Sequence, residues 1–240
     1  MLDERADNER PWRGRETKRP MDDVVEENVS YPRPNRLLVF GGTFDPVHNG
    51  HLRLARQILA KEWADEVLFV PALRSPLKQN MEVSSGLHRL EMLKLALDNQ
   101  AGFSYSDLEL QRRSAVSYTI DTLNTLSRIY PDHEVGLLIG MDSLCTLGKW
   151  HRAQELVQRF QILVYPRPGV EPPLYVHLSE HFGYRNARRL MDSILPEAEI
   201  ETFTESGTAI RAGVRAGKDM SGMVPALVWQ YIREHKLYQD

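Results

Sequence analysis

Residues 37–55, Leu-Leu-Val-Phe-Gly-Gly-Thr-Phe-Asp-Pro-Val-His-Asn-Gly-His-Leu-Arg-Leu-Ala, leave this chain few folds to choose from. Residues 37–40 are a short apolar run ended by two glycines, the pattern of a strand buried on both faces that enters a tight turn. From Asn49, an N-cap residue type, Leu52, Ile58 and Leu59 recur at helical spacing with Arg53 and Lys61 between them. Residues 66–71, Glu-Val-Leu-Phe-Val-Pro, make a second buried-strand candidate closed by proline. Strand, helix, strand is a βαβ unit, which implies a parallel sheet with right-handed crossovers. The expected fold class is therefore α/β, a doubly wound, Rossmann-like parallel sheet in a single domain over residues 35–240, with a helical C-terminal part.

A strand that runs through glycines into a helix start leaves backbone N–H groups pointing outward, which favours an anion there. His48 and His51 stand at that point, three residues apart and on nearly one helix face, so one phosphate can touch both imidazoles. Gly50 between them has no side chain to block a ligand that approaches the backbone. A zinc site fits poorly, since Cys145 is the one cysteine and no Cys or Glu is spaced to complete a tetrahedral set. Neither the G-x-G-x-x-G fingerprint nor a G-x-x-x-x-G-K-[ST] loop occurs.

Composition bounds the partners. Lys+Arg 30 against Asp+Glu 33 gives a net charge of -3 over 240 residues, which argues against a dedicated nucleic-acid or anionic-membrane binder. No apolar run approaches the roughly 20 residues of a membrane span, and a single cysteine fits a reducing, cytoplasmic setting. Residues 1–34 mix both charges with Pro11, Pro20, Pro32 and Pro34 and hold few apolar residues, the composition of a flexible N-terminal extension rather than a secretory signal.

Further along, residues 72–78 leave the carboxyl end of the second strand, and Lys78 can reach phosphates held by the histidines. Residues 84–98 predict a helix capped by Ser84 or Ser85, with Leu87, Leu90, Leu93, Leu95 and Leu97 on its apolar side and Arg89 on its surface. Residues 103–107 alternate like a strand. Ser117 or Thr119 caps a helix carrying Ile120, Leu123, Leu126 and Ile129 inward, and the N–H groups at its start suit a carboxylate. Residues 134–140 form the next buried strand, where Gly140 permits close approach of a ring or sugar and Asp142 can accept from ribose hydroxyls. Trp150 offers a flat face in the loop before a helix ending near Phe160, and residues 160–166 are again strand-like. Residues 169–188 read as an irregular insertion or partner-facing surface, with His177 and His181 on a solvated helix rather than in a metal pair. Residues 199–203 suggest a last strand. Ser206 and Thr208 then cap a second helix start aimed at the cleft, and Arg211, one turn in, can reach an anion. Residues 224–238 form an amphipathic helix expected to pack as a lid.

Gly-Gly-Thr-Phe-Asp-Pro-Val-His-Asn-Gly-His resembles the signature of the His-x-Gly-His nucleotidyltransferase superfamily, in the form carried by bacterial nicotinate-nucleotide adenylyltransferases. The likeness continues through Ser-Tyr-Thr-Ile-Asp-Thr-Leu at 117–123, Ile-Gly-Met-Asp at 139–142, Trp150, and Ser206, Thr208, Ile210 and Arg211. It departs at Leu77, where the family often has His, at Glu205 in place of Ile, and at Gly207 in place of a second Ser. The resemblance makes residues 35–240 a nucleotidyltransferase domain and implies adenylyl transfer from ATP to nicotinate mononucleotide, giving nicotinate adenine dinucleotide and pyrophosphate. It implies catalytic roles for His48, His51, Lys78 and Arg211. Gly41, Gly42, Thr43, Phe44, Gly140, Asp142, Ser206, Thr208 and Ile210 fall to ATP, and Tyr118, Thr119 and Trp150 to the nicotinate nucleotide. Mg²⁺ is expected on the ATP phosphates, with no metal on protein side chains. The partners are then ATP and nicotinate mononucleotide, with no nucleic acid and no membrane, and assembly into a homo-oligomer is allowed. Nicotinamide mononucleotide or phosphopantetheine as acceptor, cytidylyl transfer, and a nucleotide-binding protein without turnover stay open.

Overall fold

Side chains of the first strand, β1 (Asn35–Gly42), go alternately to opposite faces, Leu38 and Phe40 to one core and Leu37 and Val39 to another. The same division holds for β2 (Glu66–Pro71) and β4 (His133–Gly140), so the sheet is covered on both sides. A computed structural model describes residues 34–73, 83–112 and 117–239. The expected extension over residues 1–34 and the loop lysine Lys78 thus lie outside the described residues, save Pro34.

With β3 (Phe103–Tyr105) and β5 (Gln161–Tyr165), the described residues form a five-stranded, fully parallel sheet in the order β3-β2-β1-β4-β5. One face carries α1 (Asn49–Ala60), α2 (Gly86–Leu97), α8 (Gly207–Arg215) and α9 (Ala226–Glu234). The other carries α3 (Thr119–Ile129), α4 (Met141–Thr146), α5 (Ala153–Arg159), α6 (Tyr175–Phe182) and α7 (Tyr184–Asp192). This is the doubly wound α/β architecture, with its strand order reversing between β1 and β4. No helix among the described residues is long and apolar enough to cross a membrane.

Several local expectations need correction. Residues 199–203 are not a strand: the free edge of β5 is taken by the segment after α7, where Ser193 O accepts from Val164 N–H at 3.0 Å and Leu195 N–H donates to Val164 O at 2.8 Å. Glu201 N–H turns instead to the Gln57 side chain of α1, at 2.7 Å. Residues 169–188 are no irregular insertion, because Leu178, Phe182, Ala187 and Leu190 draw α6 and α7 onto the second core, while His177 and His181 do stay on an exposed helix surface. Leu87 and Ile129, at the ends of their helices, face outward at 76% and 55% exposure. The C-terminal helix is shorter than residues 224–238, and Val228 and Ile232 seat it in the first core, beside α2.

Candidate active site

Gly41-Gly42 ends β1 and Gly140 ends β4, the neighbours on either side of the reversal. Beyond them opens a cleft of about 1260 Å³. Its wall runs from the turn after β1 through His48 and His51 to the starts of α4 and α8. Open parallel sheets hold ligands at such a place.

Asn49 does not cap α1. Its backbone N–H donates to Met223 O at 2.9 Å and its amide to Gly222 O at 3.0 Å, so it anchors the segment before α9. The N-cap is His48, in extended conformation. His48 N–H donates to Nδ1 of His51 at 3.2 Å, and the two rings stack with centroids 3.5 Å apart and planes 21° off parallel. Because Nδ1 of His51 accepts, the neutral ring carries its proton on Nε2, a donor for a phosphate oxygen. Burial, opposed by Glu205 and assisted by Arg167 and Arg53, lowers the pKa of His48 to about 4. Burial, then His48 and Arg167, holds His51 well below the ordinary imidazole value. Both rings are therefore neutral at neutral pH. Nδ1 of His48 is buried with no partner among the described residues, the condition of a polar atom placed for a ligand.

Gly50 serves a different neighbour from the one expected. A Cβ there would come 2.3 Å from the Phe203 ring, so the residue lets α1 settle on Phe203 rather than clearing a path for ligand. Phe40 and Phe44 close around His51 with ring centroids at 5.6 and 5.0 Å.

Cations ring the cleft. Ser206 caps α8, its hydroxyl accepting from Ala209 N–H at 3.2 Å, and places Arg211 on the wall, where Nη1 donates to Asp45 O at 2.6 Å. Arg167, just past β5, donates to Tyr165 Oη at 2.9 Å and lies 3.3 Å from Asp142 Oδ1. The Asp142–Arg167 pair closes over Gly140, where a Cβ would lie 2.6 Å from Asp142 Oδ1 and 2.8 Å from Arg167 Nε. Glu205, the acidic departure beside the anion site, is held bidentately by Nη2 of Arg53 at 2.6 and 2.7 Å. Burial opposes ionisation of Glu205, yet the Arg53 bonds bring its carboxyl below the ordinary value, so the pair enters the site as an internal salt.

Of the residues anticipated at the site, His48, His51, Gly41, Gly42, Thr43, Phe44, Gly140, Asp142, Ser206, Thr208 and Arg211 line this one cleft. Ile210 does not; its side chain is fully buried in the first core. Nor do Tyr118, Thr119 and Trp150. Tyr118 is the N-cap of α3 and stacks on His151 at 4.1 Å, while Trp150 packs against the second core with Nε1 buried and without a partner among the described residues. Arg89 is the plainest reversal. Far from riding the surface, it is 2% exposed and donates to Thr43 O, Ala72 O and Ser84 O at 2.8, 2.7 and 3.1 Å. Its helical phase signalled this, since Arg89 falls on the stripe of Met92, Leu93 and Ala96. Arg167 carried a signal too, following the carboxyl end of a strand.

A family model described as cytidylyltransferase-like matches residues 39–213. The nicotinate-nucleotide adenylyltransferase of Bacillus subtilis (strain 168) is 34% identical over 202 residues, 84% of this chain and 97% of that protein. A Herpetosiphon aurantiacus protein named "Probable nicotinate-nucleotide adenylyltransferase" is 38% identical over 206 residues, 85% and 98% of the two chains. In fold, the chain is similar to Plasmodium falciparum nicotinic acid mononucleotide adenylyltransferase complexed with NaAD, with a TM-score of 0.65 at 17% identity over 85% of this chain and 97% of that one. With the imidazole pair, the capped helix starts and the reversed strand order all in one cleft, the chain belongs to the nicotinate-nucleotide adenylyltransferases of the cytidylyltransferase-like family.

Proposed function

We propose that this chain transfers the adenylyl group of ATP to nicotinate mononucleotide, releasing pyrophosphate and forming nicotinate adenine dinucleotide. The observation that carries the reading is the stacked, neutral imidazole pair at the start of α1, opening on the cleft at the strand-order reversal. A phosphate oxygen of the mononucleotide attacks the α-phosphorus of ATP; the new P–O bond forms as the bond to the α,β-bridging oxygen breaks, and the electron pair leaves on pyrophosphate. The attacking phosphate is already anionic at neutral pH, so no general base is needed, and the protein acts by alignment and charge stabilisation.

In this reading His48 and His51 donate to ATP phosphates, and Arg211, joined by Lys78 from outside the described residues, stabilises charge as pyrophosphate departs. Gly41 to Phe44, Asp142, Ser206 and Thr208 contact ATP. The start of α3 at Tyr118 and Thr119 takes the nicotinate carboxylate, and the flat ring of Trp150 stacks on its pyridine ring. No group of three or more His, Cys, Asp or Glu side chains able to hold a metal occurs among the described residues. The cleft's imidazole, guanidinium and backbone N–H donors suit phosphate oxygens, so the divalent ion, Mg²⁺ in this reading, arrives on the ATP phosphates and supplies charge neutralisation there.

Pyrophosphate release is measured with nicotinate and with nicotinamide mononucleotide in parallel. Faster turnover on the nicotinate form is expected, and equal rates refute the acceptor assignment. His51→Ala should lower turnover by about 10²-fold, the usual effect of losing one preorganised donor; near-normal turnover refutes the role given to the pair.

A further inference from the structure

Three separate parts of the chain converge on Asp45, whose side chain is only 1% exposed. Tyr238, beyond α9, donates its hydroxyl to Oδ1 at 2.7 Å, and Ser84 N–H, just before α2, donates to Oδ2 at 3.2 Å. From α8, Arg211 Nη1 lies 3.8 Å from Oδ2 while donating to the backbone oxygen of the same residue. Gly207 makes room for that approach, since a Cβ there would lie 2.8 Å from Asp45 O and 3.1 Å from Arg211 Nη1. A buried carboxylate needs its partners, and their geometry decides how much of its charge each one feels.

We propose that Tyr238 is a positioning residue of the transferase site: its hydroxyl fixes the Asp45 carboxylate, and the carboxylate fixes the angle at which Arg211 faces the cleft. Tyr238 does not line the cleft, and its shortest hydrogen bond toward it goes to Asp45. Burial, then Asp45 itself, pushes the phenol above its ordinary pKa, so the hydroxyl stays a donor across the working pH range. While Tyr238 holds Oδ1, the carboxylate cannot swing to take both ends of the Arg211 fork, and the guanidinium remains available to an incoming phosphate. Without that hydroxyl the carboxylate keeps only the Ser84 N–H on Oδ2 and turns Oδ1 onto Arg211, and the cation is drawn away from the charge it must meet.

This inference rests on the reading of Arg211 as the residue that stabilises the departing pyrophosphate. The test is a double-mutant cycle with Tyr238→Phe, Arg211→Ala and the pair, measuring kcat and KM for both substrates well below each variant's melting temperature. Tyr238→Phe is expected to lower kcat about tenfold or more, as displacement of a reacting group does, with both KM values little changed. In the Arg211→Ala background it should have no further effect. Asp45→Asn, which keeps the shape at that position and removes the charge beside Arg211, supplies a second arm should Tyr238→Phe fold poorly, and it too should lower kcat without an added effect in the Arg211→Ala background. Loss of kcat in Arg211→Ala together with unchanged kcat in Tyr238→Phe overturns this inference alone, as does a strictly additive cycle. Unchanged kcat in Arg211→Ala overturns both this inference and the role given to Arg211. A lowered melting temperature with unchanged kcat marks Tyr238 as structural and overturns the proposal.

Discussion

Arg89 shows how one side chain can organise a site it does not belong to chemically. Its guanidinium gathers the carbonyls of Thr43 in the turn after β1, of Ala72 just past β2 and of Ser84 shortly before α2, tying three segments together at one point. Backbone oxygens buried this way cannot turn to water, and a five-donor planar fork satisfies several at once. Arg89→Met keeps the aliphatic stem and strands the carbonyls, so unfolding stability should fall by about 3 kcal/mol, read by urea denaturation. Arg89→Lys should recover only part of that, because an ammonium cannot reproduce the fork. At the same scale, Nε2 of His51 owes its proton to a backbone bond on the opposite side of the ring, so the donor that meets phosphate is set by a group that never does.

At the level of elements, α1 and the segment entering α8 fit each other by shape. Gly50 lies against Phe203, and Arg53, one turn on, grips Glu205. Gly50→Ala should cost about 1–3 kcal/mol by overpacking that contact. Chemical denaturation reads the loss, and an unchanged midpoint would show that Phe203 swings aside. Strands and helices were legible where periodicity was strong: β2 matches its expected limits, and β1, β4 and β5 differ only at their ends. Residues 199–203 misled because an apolar, β-prone run says nothing about whether a sheet edge is vacant, and residues 193–195 had filled it. Proline and exposed aromatics between 169 and 188 hid two short helices whose buried sides hold only two residues each. At the site, the cleft-lining histidines, glycines and Arg211 were readable from motif and helix starts. Asp45 and Tyr238 were not, since a pairing between residues 193 positions apart leaves no local trace.

For the molecule as a whole, the imidazole pair couples folding to pH. Unfolded histidine titrates near 6.5, whereas His48 in the folded chain does so at about 4. Between those values the unfolded state binds more protons, so stability is complete above about pH 6.5 and falls as pH drops toward 4. His48 alone should account for up to about 3 kcal/mol of that loss, and His51 adds to it in the same direction. Denaturation midpoints compared at about pH 7.5 and about pH 4.5 should drop more in the parent chain than in His48→Asn. The hydrogen bonds from Asn49 to residues 222 and 223, and from Tyr238 to Asp45, give this architecture an order in time. On the ribosome the signature motif emerges early and its fasteners last, so a product interrupted before residue 222 carries both histidines without the carbonyls that hold Asn49. Clipping by a protease just ahead of Tyr238 would likewise remove the hydroxyl on Asp45 while every substrate-facing group stays intact.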